Sequence, residues 1–257
     1  MIAKTEAIPI RISPFGGTSH IVTWITPEYG KISTVIKGAQ RPKRMGGGQY
    51  DIGYICELLF YEREFNGLHT FKECVALDAR TSMRGQWRKT ALTSYLCLLT
   101  GNASLPFLQM PILYQNLLYA LDALEDSTRL AMIMIWFECQ LLSLHGTTPQ
   151  LQRCTVCRQH ATEEPILLSP QAGGLICPAC NAKRRLQTHT IRMHTLQTLQ
   201  LLQRTQTPEP FADSEQYELI PDEGIEAMGS IMTQWMDIAP HARNLTLQMI
   251  RLQLNHS

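Results

Sequence analysis

Short runs in which apolar and polar residues alternate dominate the first 80 positions of the chain. Alternation of this kind predicts half-buried β-strands, because successive side chains of a strand point to opposite faces. Five runs are separated by turn residues, and they occupy residues 7–12, 21–25, 31–37, 54–61 and 68–77. Pro9 predicts that the first strand is bent or lies at an edge, because proline cannot donate a ladder hydrogen bond. Asn66-Gly67 predicts a hairpin turn between the last two strands.

The spacing of apolar positions changes after residue 80, where they recur roughly every three to four residues, as in amphipathic helices. The predicted helices occupy residues 90–99, 112–124, 130–144, 191–202, 227–236 and 242–254. Asp126-Ser127 is the expected N-cap of the helix at 130–144, and Gly146 is its expected end. The acidic stretch 205–226 contains three prolines and is expected to be a loop.

These patterns together predict an α+β chain. Residues 1–80 are expected to form an OB-fold β-barrel, a small barrel with five strands. Residues 81–257 are expected to form an α-helical domain. Cysteine, glycine and proline interrupt the helical pattern between residues 154 and 180, which predicts a small insert at about residues 150–185.

Charge is distributed unevenly along a chain whose formal net charge is only +1. The first 50 residues contain seven lysines and arginines against two glutamates, whereas residues 205–226 contain seven acidic residues and no basic one. Segregated charge can steer an anionic ligand, which an even mixture of charges cannot do. Hydrophobic residues make up 44% of the chain, and this fraction excludes wholesale disorder.

Neither a signal peptide nor a membrane span is expected. The first residues lack the apolar core of a signal peptide. The most apolar stretch, residues 130–144, contains Glu138 and is shorter than the roughly 20 residues that a span needs. We therefore expect a buried helix there and no contact with a membrane.

Four of the eight cysteines form two Cys-x-x-Cys pairs separated by 19 residues, Cys154 with Cys157 and Cys177 with Cys180. Two pairs at this separation can converge on one tetrahedral Zn²⁺ ion. Four thiolate ligands leave no open coordination position, so the expected metal is a single structural zinc. The alternatives are a redox dithiol, four cysteines without a metal, and a site in which His160 replaces one cysteine.

Basic residues cluster in and after the first three predicted strands: Arg11, Lys31, Lys37, Arg41, Lys43 and Arg44. Nearby aromatic residues are candidate stacking platforms for bases: Phe15, Trp24, Tyr29 and Tyr50. A positive groove with exposed aromatic rings is typical of single-strand nucleic-acid binding. The alternative is an ordinary solvated surface, and Trp24, inside an apolar run, is expected to be buried.

Motifs of catalysis are missing from the sequence. It contains neither a Gly-x-x-x-x-Gly-Lys phosphate loop nor a Gly-x-Gly-x-x-Gly turn after a strand. Its histidines are scattered without the His-x-x-x-His spacing of a catalytic metal site. We therefore expect a binding protein and not an enzyme.

The order of barrel, helices and four-cysteine insert resembles the RecO family of bacterial recombination mediators. Three stretches carry the resemblance: TPEYGKISTVIKGAQRPK at residues 26–43, LHGTTPQLQRCTVC at 144–157 and GGLICPAC at 173–180. The positions that match the family are Lys31, Lys37, Arg41 and Lys43 for DNA, with Cys154, Cys157, Cys177 and Cys180 for the metal. Many relatives have glycine where this chain has Arg158, and a Lys-Ser pair near Arg243-Asn244.

The resemblance implies a DNA repair and recombination function. It implies an OB-fold that binds single- and double-stranded DNA, annealing of complementary strands, and loading of recombinase onto strands covered by single-stranded-DNA-binding protein (SSB). The implied partners are RecR, possibly RecF, SSB and, indirectly, the recombinase RecA. The implied location is the bacterial cytoplasm, in association with the nucleoid.

Two other functions compete with this interpretation. One is a zinc-ribbon protein that binds nucleic acid through residues 154–204. The other is an adaptor that acts through protein contacts, with the basic residues of the barrel merely solvated.

Overall fold

The computed structural model describes residues 1–39, 50–63, 68–160, 163–208, 219–236 and 240–251. The chain divides into two compact units, residues 1–121 and 122–257. None of the helices in the described ranges combines the length and the apolar character that crossing a bilayer requires.

A closed five-stranded barrel forms the first part of the first unit. Its strands are β1 (Ile2–Phe15), β2 (Ser19–Thr26), β3 (Gly30–Ile36), β4 (Ile55–Tyr61) and β5 (Leu68–Asp78). Their order is β1-β2-β3-β5-β4, with β1 and β4 paired to close the barrel. The β3–β5 pair is parallel and the other pairs are antiparallel. This arrangement confirms the predicted OB-like barrel, while the predicted Asn66-Gly67 turn lies outside the described residues.

Alternating residues of the strands fill the barrel interior. In β3, Ile32, Thr34 and Ile36 are buried and the residues between them are partly exposed. Trp24 of β2 is fully buried, as predicted, and its indole N–H donates to Thr34 Oγ1 at 2.9 Å. The hydrogen bond satisfies the polar end of the tryptophan inside an apolar core.

The first strand is longer than the predicted 7–12: it spans Ile2–Phe15, because residues 2–7 also pair with β4, and it contains an irregularity next to Pro9. The pairing register between β1 and β2 shifts between Pro9 and Arg11. Ile10 is the residue left without a partner in the register, and a bulge of this kind bends the strand next to Pro9. The predicted bend at Pro9 is therefore confirmed, and the expected length was wrong.

The first unit extends beyond the barrel. It also contains α1 (Thr81–Arg84), α2 (Trp87–Ala103) and most of α3 (Pro111–Asp126). Helix α2 packs on β1. In α3, the hydroxyl of Tyr114 donates to a carboxylate oxygen of Glu6 in β1, and burial together with this bond raises the pKa of Tyr114. Both helices are thus attached to the outside of the barrel.

A helical bundle forms most of the second unit. Its helices are α4 (Leu130–Leu144), α6 (Met193–Arg204), α7 (Asp222–Met236) and α8 (Pro240–Arg251). Helix α4 is buried along most of its length and packs against α6 and α7. The expected loop at 205–226 was wrong at its end, since α7 begins at Asp222. Asp222 and Glu223 lie in the first turn, where acidic side chains interact favourably with the helix dipole.

The insert contains a small sheet that the sequence pattern did not predict. Strands β6 (Ile166–Ser169), β7 (Gly174–Ile176) and β8 (His189–Ile191) pair antiparallel in the order β7-β6-β8, and α5 (Pro178–Arg184) follows β7. The indole N–H of Trp235 in α7 donates to the carbonyl of Pro170 at 2.8 Å. This contact attaches the insert to the helices of the same unit.

A buried ion pair joins α4 to α8. The guanidinium of Arg243 donates to both carboxylate oxygens of Glu138, at 2.7 and 2.9 Å, and also to the carbonyl of Ile225 at 3.0 Å. The two side chains are 5% and 0% exposed. Because each charge depends on the other for compensation in the core, removal of one partner leaves an isolated buried charge.

We predict that Arg243→Ala lowers the free energy of unfolding by about 3–5 kcal/mol. Urea unfolding followed by circular dichroism measures the change. The control is Arg251→Ala, which breaks the exposed ion pair with Asp222 and should cost about 1 kcal/mol or less. Equal effects of the two substitutions would contradict this account of the buried pair.

A basic groove on the barrel and a four-cysteine cluster

A row of polar side chains crosses the outer face of the first three strands. Arg11 of β1 lies opposite Thr23 of β2, which lies opposite Ser33 of β3. The hydroxyls of Thr23 and Ser33 share a hydrogen bond of 3.2 Å. Lys31 is two residues before Ser33, so the period of the strand places it on the same face. The register thus brings two of the predicted DNA-contacting residues, Arg11 and Lys31, to one surface.

A groove of about 1200 Å³ opens on this surface, between the strands, α2 and the segment after α2. Its polar lining includes Arg11, Lys31, Thr23, Ser33 and Asn102. Its apolar lining includes Ile12, Leu98, Pro106 and Phe107. None of the described residues that line the groove carries a carboxylate, so its lining is positively charged.

Lys31 is built into the wall of the groove. Its ammonium donates to the carbonyl of Gly101 at 2.7 Å, near the C-terminal end of α2. Burial desolvates the ammonium and lowers the pKa of Lys31 below its ordinary value. A cation is favoured at a helix C-terminus, where unpaired carbonyls carry partial negative charge. Lys31 therefore attaches α2 to β3 as well as placing a positive charge in the groove.

The segment after α2 is held against the turn between β2 and β3. Gly30 has φ +64°, and a Cβ atom there would lie 2.0 Å from the carbonyl oxygen of Leu108. Only glycine allows this approach. The N–H of Phe107 donates to the carbonyl of Lys31 at 3.3 Å. Phe107 itself has φ +61°, and it is 55% exposed.

Lys37 lies one residue beyond the end of β3 and is exposed. Lys37 follows Lys31 by six residues, and an extended chain of that length spans about 20 Å. Neither Arg11 nor Lys37 forms an ion pair with a described residue, so both are available to an anionic ligand. The other predicted contacts, Arg41, Lys43 and Arg44, lie outside the described residues.

The predicted aromatic platforms are mostly inside the barrel. Trp24 is buried, and Tyr29 packs edge-on against Phe60 with ring centroids 5.4 Å apart. Tyr50 is half-buried beside Trp24, while Phe15 is 49% exposed. Phe107, an exposed ring at the groove, was missed. The signal that could have found it is the apolar stretch Leu105 to Leu108 between two helices, where a polar loop is usual.

The four cysteines of the insert converge as predicted. One sulfur atom from each of Cys154, Cys157, Cys177 and Cys180 lies within 4.8 Å of the other three. Cys157 Sγ and Cys177 Sγ are 3.7 Å apart. A tetrahedral ion with metal–sulfur bonds of about 2.3 Å separates its ligands by about 3.8 Å. The arrangement therefore fits a tetrahedral metal ion of that size.

Two local structures present these sulfur atoms. In the first, the N–H of Arg158 donates to the carbonyl of Cys154 at 3.0 Å, which closes a tight turn around Cys157. Arg158 has φ +65°, a backbone conformation that favours glycine. In the second, Cys177 immediately precedes α5, and Cys180 lies in its first turn.

Backbone donors favour the ionised form of Cys154. Burial by itself raises the pKa of this thiol, but the backbone N–H groups of Cys157, Cys177 and Val156 outweigh it and lower the pKa to about 6. The N–H of Cys177 lies 3.4 Å from Cys154 Sγ. Because metals bind the thiolate and not the thiol, these donors prepare the cluster for a cation.

Comparison with known families agrees with the order of these parts. Residues 1–80 match the family described as Recombination protein O N terminal, and residues 84–219 match Recombination protein O C terminal. The chain belongs to the RecO family. In this RecO-family chain, the first match covers the barrel and the second includes the whole cysteine insert.

Curated relatives share about a quarter of their residues with this RecO-family chain. A protein from Dehalococcoides mccartyi named DNA repair protein RecO is 26% identical over 206 residues, which cover 80% of this chain and 79% of the relative. A protein of the same name from Bacillus pumilus is 28% identical over 184 residues, or 71% and 70% of the two chains. Another from Chlorobium limicola is 24% identical over 218 residues, or 80% and 82%.

We predict that Gly30→Ala destabilises the first unit more than Gly16→Ala does. Gly16 has φ +52° with nothing near its absent Cβ, so alanine there should cost about 1–2 kcal/mol of backbone strain alone. At Gly30 the clash with the Leu108 carbonyl should add about 1–3 kcal/mol. Thermal unfolding of both variants measures the difference, and equal costs would refute the close approach.

Proposed function

We propose that this RecO-family protein is a non-enzymatic DNA-binding mediator in DNA repair and recombination. It neutralises phosphates with the cations of the barrel, anneals complementary strands, and promotes loading of recombinase onto SSB-coated single strands. The observation that carries the proposal is the groove on the outer face of an OB-like barrel, which Arg11 and Lys31 line and to which none of the described residues contributes a carboxylate. A positive groove on such a barrel suits a nucleic-acid backbone.

The partners proposed for this activity follow from family membership. RecR, possibly RecF, and SSB are the proteins with which we expect the chain to act, and RecA is the recombinase that benefits indirectly. The annotated name of the relatives, DNA repair protein RecO, agrees with such a role. No step of the proposed activity breaks a covalent bond, so binding surfaces are sufficient for it.

We predict that replacing Arg11 and Lys37 together by alanine weakens binding to single-stranded DNA and reduces its salt dependence. Each lost phosphate contact on a single strand should make the slope of log K against log salt shallower by about 0.7, so the pair should change it by about 1.4. Fluorescence anisotropy with a labelled oligonucleotide at several salt concentrations measures the slope. The loss should be similar for oligonucleotides of different sequence.

Lys4→Ala is the matched control for these variants. Lys4 is an exposed lysine of the same barrel, but its ammonium is 2.8 Å from a carboxylate oxygen of Glu57. Its removal should leave the slope unchanged. If the Arg11/Lys37 double variant also leaves the slope unchanged, the barrel is not the phosphate-binding surface.

The mediator activity itself requires a different measurement. Complementary strands coated with SSB should anneal faster when the wild-type protein is added, and the Arg11/Lys37 double variant should lose most of this acceleration. An unaltered annealing rate with wild-type protein would leave DNA binding without the proposed mediator role.

We also propose that the four-cysteine cluster holds one structural zinc ion. When bound, zinc joins the Cys154–Cys157 turn to the start of α5 and takes no part in a reaction, since four thiolates fill a tetrahedral site. The insert has a small core, and structural zinc sites supply folding energy to such segments. The distances between the sulfur atoms of the four cysteines support this assignment.

We predict one zinc ion per wild-type chain and loss of that ion in Cys157→Ser. Mass spectrometry of metal content and limited proteolysis of the insert measure the effect. The control is Cys97→Ser, since Cys97 is a buried thiol of α2 far along the chain from the cluster and burial raises its pKa to about 12. A metal-free wild-type protein, or equal zinc in both variants, would contradict the assignment.

Nucleic-acid binding through the insert is the second candidate function. Exposed cations surround the cluster: Arg153, Arg158, Lys183, Arg184 and Arg185. A variant in which alanine replaces both Lys183 and Arg184 is compared with the Arg11/Lys37 double variant for its affinity for DNA. If this variant loses more affinity for DNA than the Arg11/Lys37 double variant, the zinc-ribbon interpretation is favoured over the barrel.

A further inference from the structure

The groove in the first unit combines three chemical features that phosphate binding alone does not require. It has an apolar wall, a row of hydroxyl and amide groups, and two cations with no carboxylate among the described lining residues. We propose, on the basis of the proposed DNA binding, that this groove receives an unstacked base of single-stranded DNA. In this arrangement Phe107 stacks on the base and Arg11 contacts a neighbouring phosphate.

The size of the groove suits an extended ligand that enters from the surface. Its volume of about 1200 Å³ exceeds the roughly 300–1,000 Å³ typical of clefts that enclose a small molecule. A base together with its sugar and flanking phosphates occupies such a groove without being enclosed.

Phe107 is a rigidly placed stacking surface. Its backbone is held by the hydrogen bond to the Lys31 carbonyl and by the close passage of Leu108 over Gly30. Its left-handed φ of +61° costs conformational energy for a residue with a Cβ, yet the ring is 55% exposed. The ring also lies edge-on to the buried His69, with ring centroids 6.1 Å apart, which fixes its orientation although Phe107 stays more than half exposed. Backbone strain of this kind is concentrated at ligand-binding positions.

The polar groups of the groove suit the edge of any base. Thr23 and Ser33 carry hydroxyls, which donate or accept, and Asn102 carries an amide with both functions. Because each of these side chains can either donate or accept a hydrogen bond, together they can pair with the different donor and acceptor patterns of the bases. The groove is therefore expected to distinguish unpaired from paired bases and not one base from another.

Charge complementarity identifies the occupant as an anion with an aromatic part. Arg11 is exposed at the groove without an ion pair to a described residue, and Lys31 adds a second positive charge. In a single strand the phosphates can contact the two cations, and the unstacked bases can pack on the apolar wall. In a duplex the bases are paired and stacked inside the helix, so they do not reach the wall.

The test compares three probes of equal length and equal charge per strand with the full-length protein: oligothymidylate, an abasic strand and a duplex. The abasic strand keeps the phosphates and lacks the bases. Wild-type protein should bind oligothymidylate at least about fivefold more tightly than the abasic strand, the effect of stacking one base. Equal affinity for the two single-stranded probes would overturn the proposal and leave the groove to a protein partner.

Two pairs of variants locate the effect in the groove. Leu98→Gln replaces an apolar side chain of the groove wall by a polar one of similar size, and Leu105→Gln is its control, an exposed leucine that does not line the groove. Phe107→Ala removes the stacking ring, and Phe107→Tyr keeps it. Phe107→Ala should reduce oligothymidylate binding to the level of the abasic strand, and Leu98→Gln should weaken the preference for oligothymidylate. Leu105→Gln and Phe107→Tyr should retain the preference.

The abasic and duplex probes separate this proposal from DNA binding itself. Both groove variants should bind the abasic strand and the duplex as the wild type does, because the cations are untouched. If all probes fail to bind wild-type protein, the proposed function fails. If all bind but Phe107→Ala and Leu98→Gln keep the full preference for oligothymidylate, only the base site is refuted.

Discussion

The backbone of Leu108 passes so close to Gly30 that no side chain fits between them. This approach holds the segment after α2 against the β2–β3 turn, and the Lys31 ammonium holds the end of α2 itself through the Gly101 carbonyl. Together with the packing of α2 on β1, these contacts place a helix and the segment after it beside the outer face of β1, β2 and β3. That face becomes the floor of a groove that has a helix for one wall and Phe107 at its rim. The shape of the candidate site thus depends on one glycine and one lysine as well as on the barrel strands.

Lys31 shows how one residue serves both stability and binding. A lysine that only contacted phosphate would gain by being fully exposed, whereas this one is partly desolvated and hydrogen-bonded. Its charge is therefore fixed in position before a ligand arrives, and little side-chain entropy is lost on binding. Arg11, by contrast, is exposed and has to be ordered by its ligand. Both cations attract an anion to the groove, but Lys31 is in place before the ligand binds, whereas Arg11 becomes ordered only on binding.

Patterns within a short segment were predictable, and contacts between segments were not. Alternation located all five barrel strands, and cysteine spacing located a cluster whose sulfur atoms lie within 4.8 Å of one another. The helical period located α4 but not the start of α7, because acidic residues of a helix first turn resemble those of a loop. Nothing local indicates that Lys31 meets Gly101, 70 positions away, or that Phe107 lies at a groove. Tyr29 illustrates the converse, an aromatic residue in a turn that packs into the core.

Net charge constrains how the proposed binding of DNA can work in such a protein. With a formal charge of +1 and seven acidic residues in the stretch 205–226, the whole chain exerts little long-range attraction on a polyanion. Affinity then depends on short-range contacts, where a local excess of cations is joined by stacking and by desolvation of an apolar wall. Stacking and the burial of apolar surface are insensitive to salt, unlike the neutralisation of phosphates by cations. A groove with two cations and an exposed ring is therefore better suited to a near-neutral protein than a larger basic surface, and it favours strands whose bases are free.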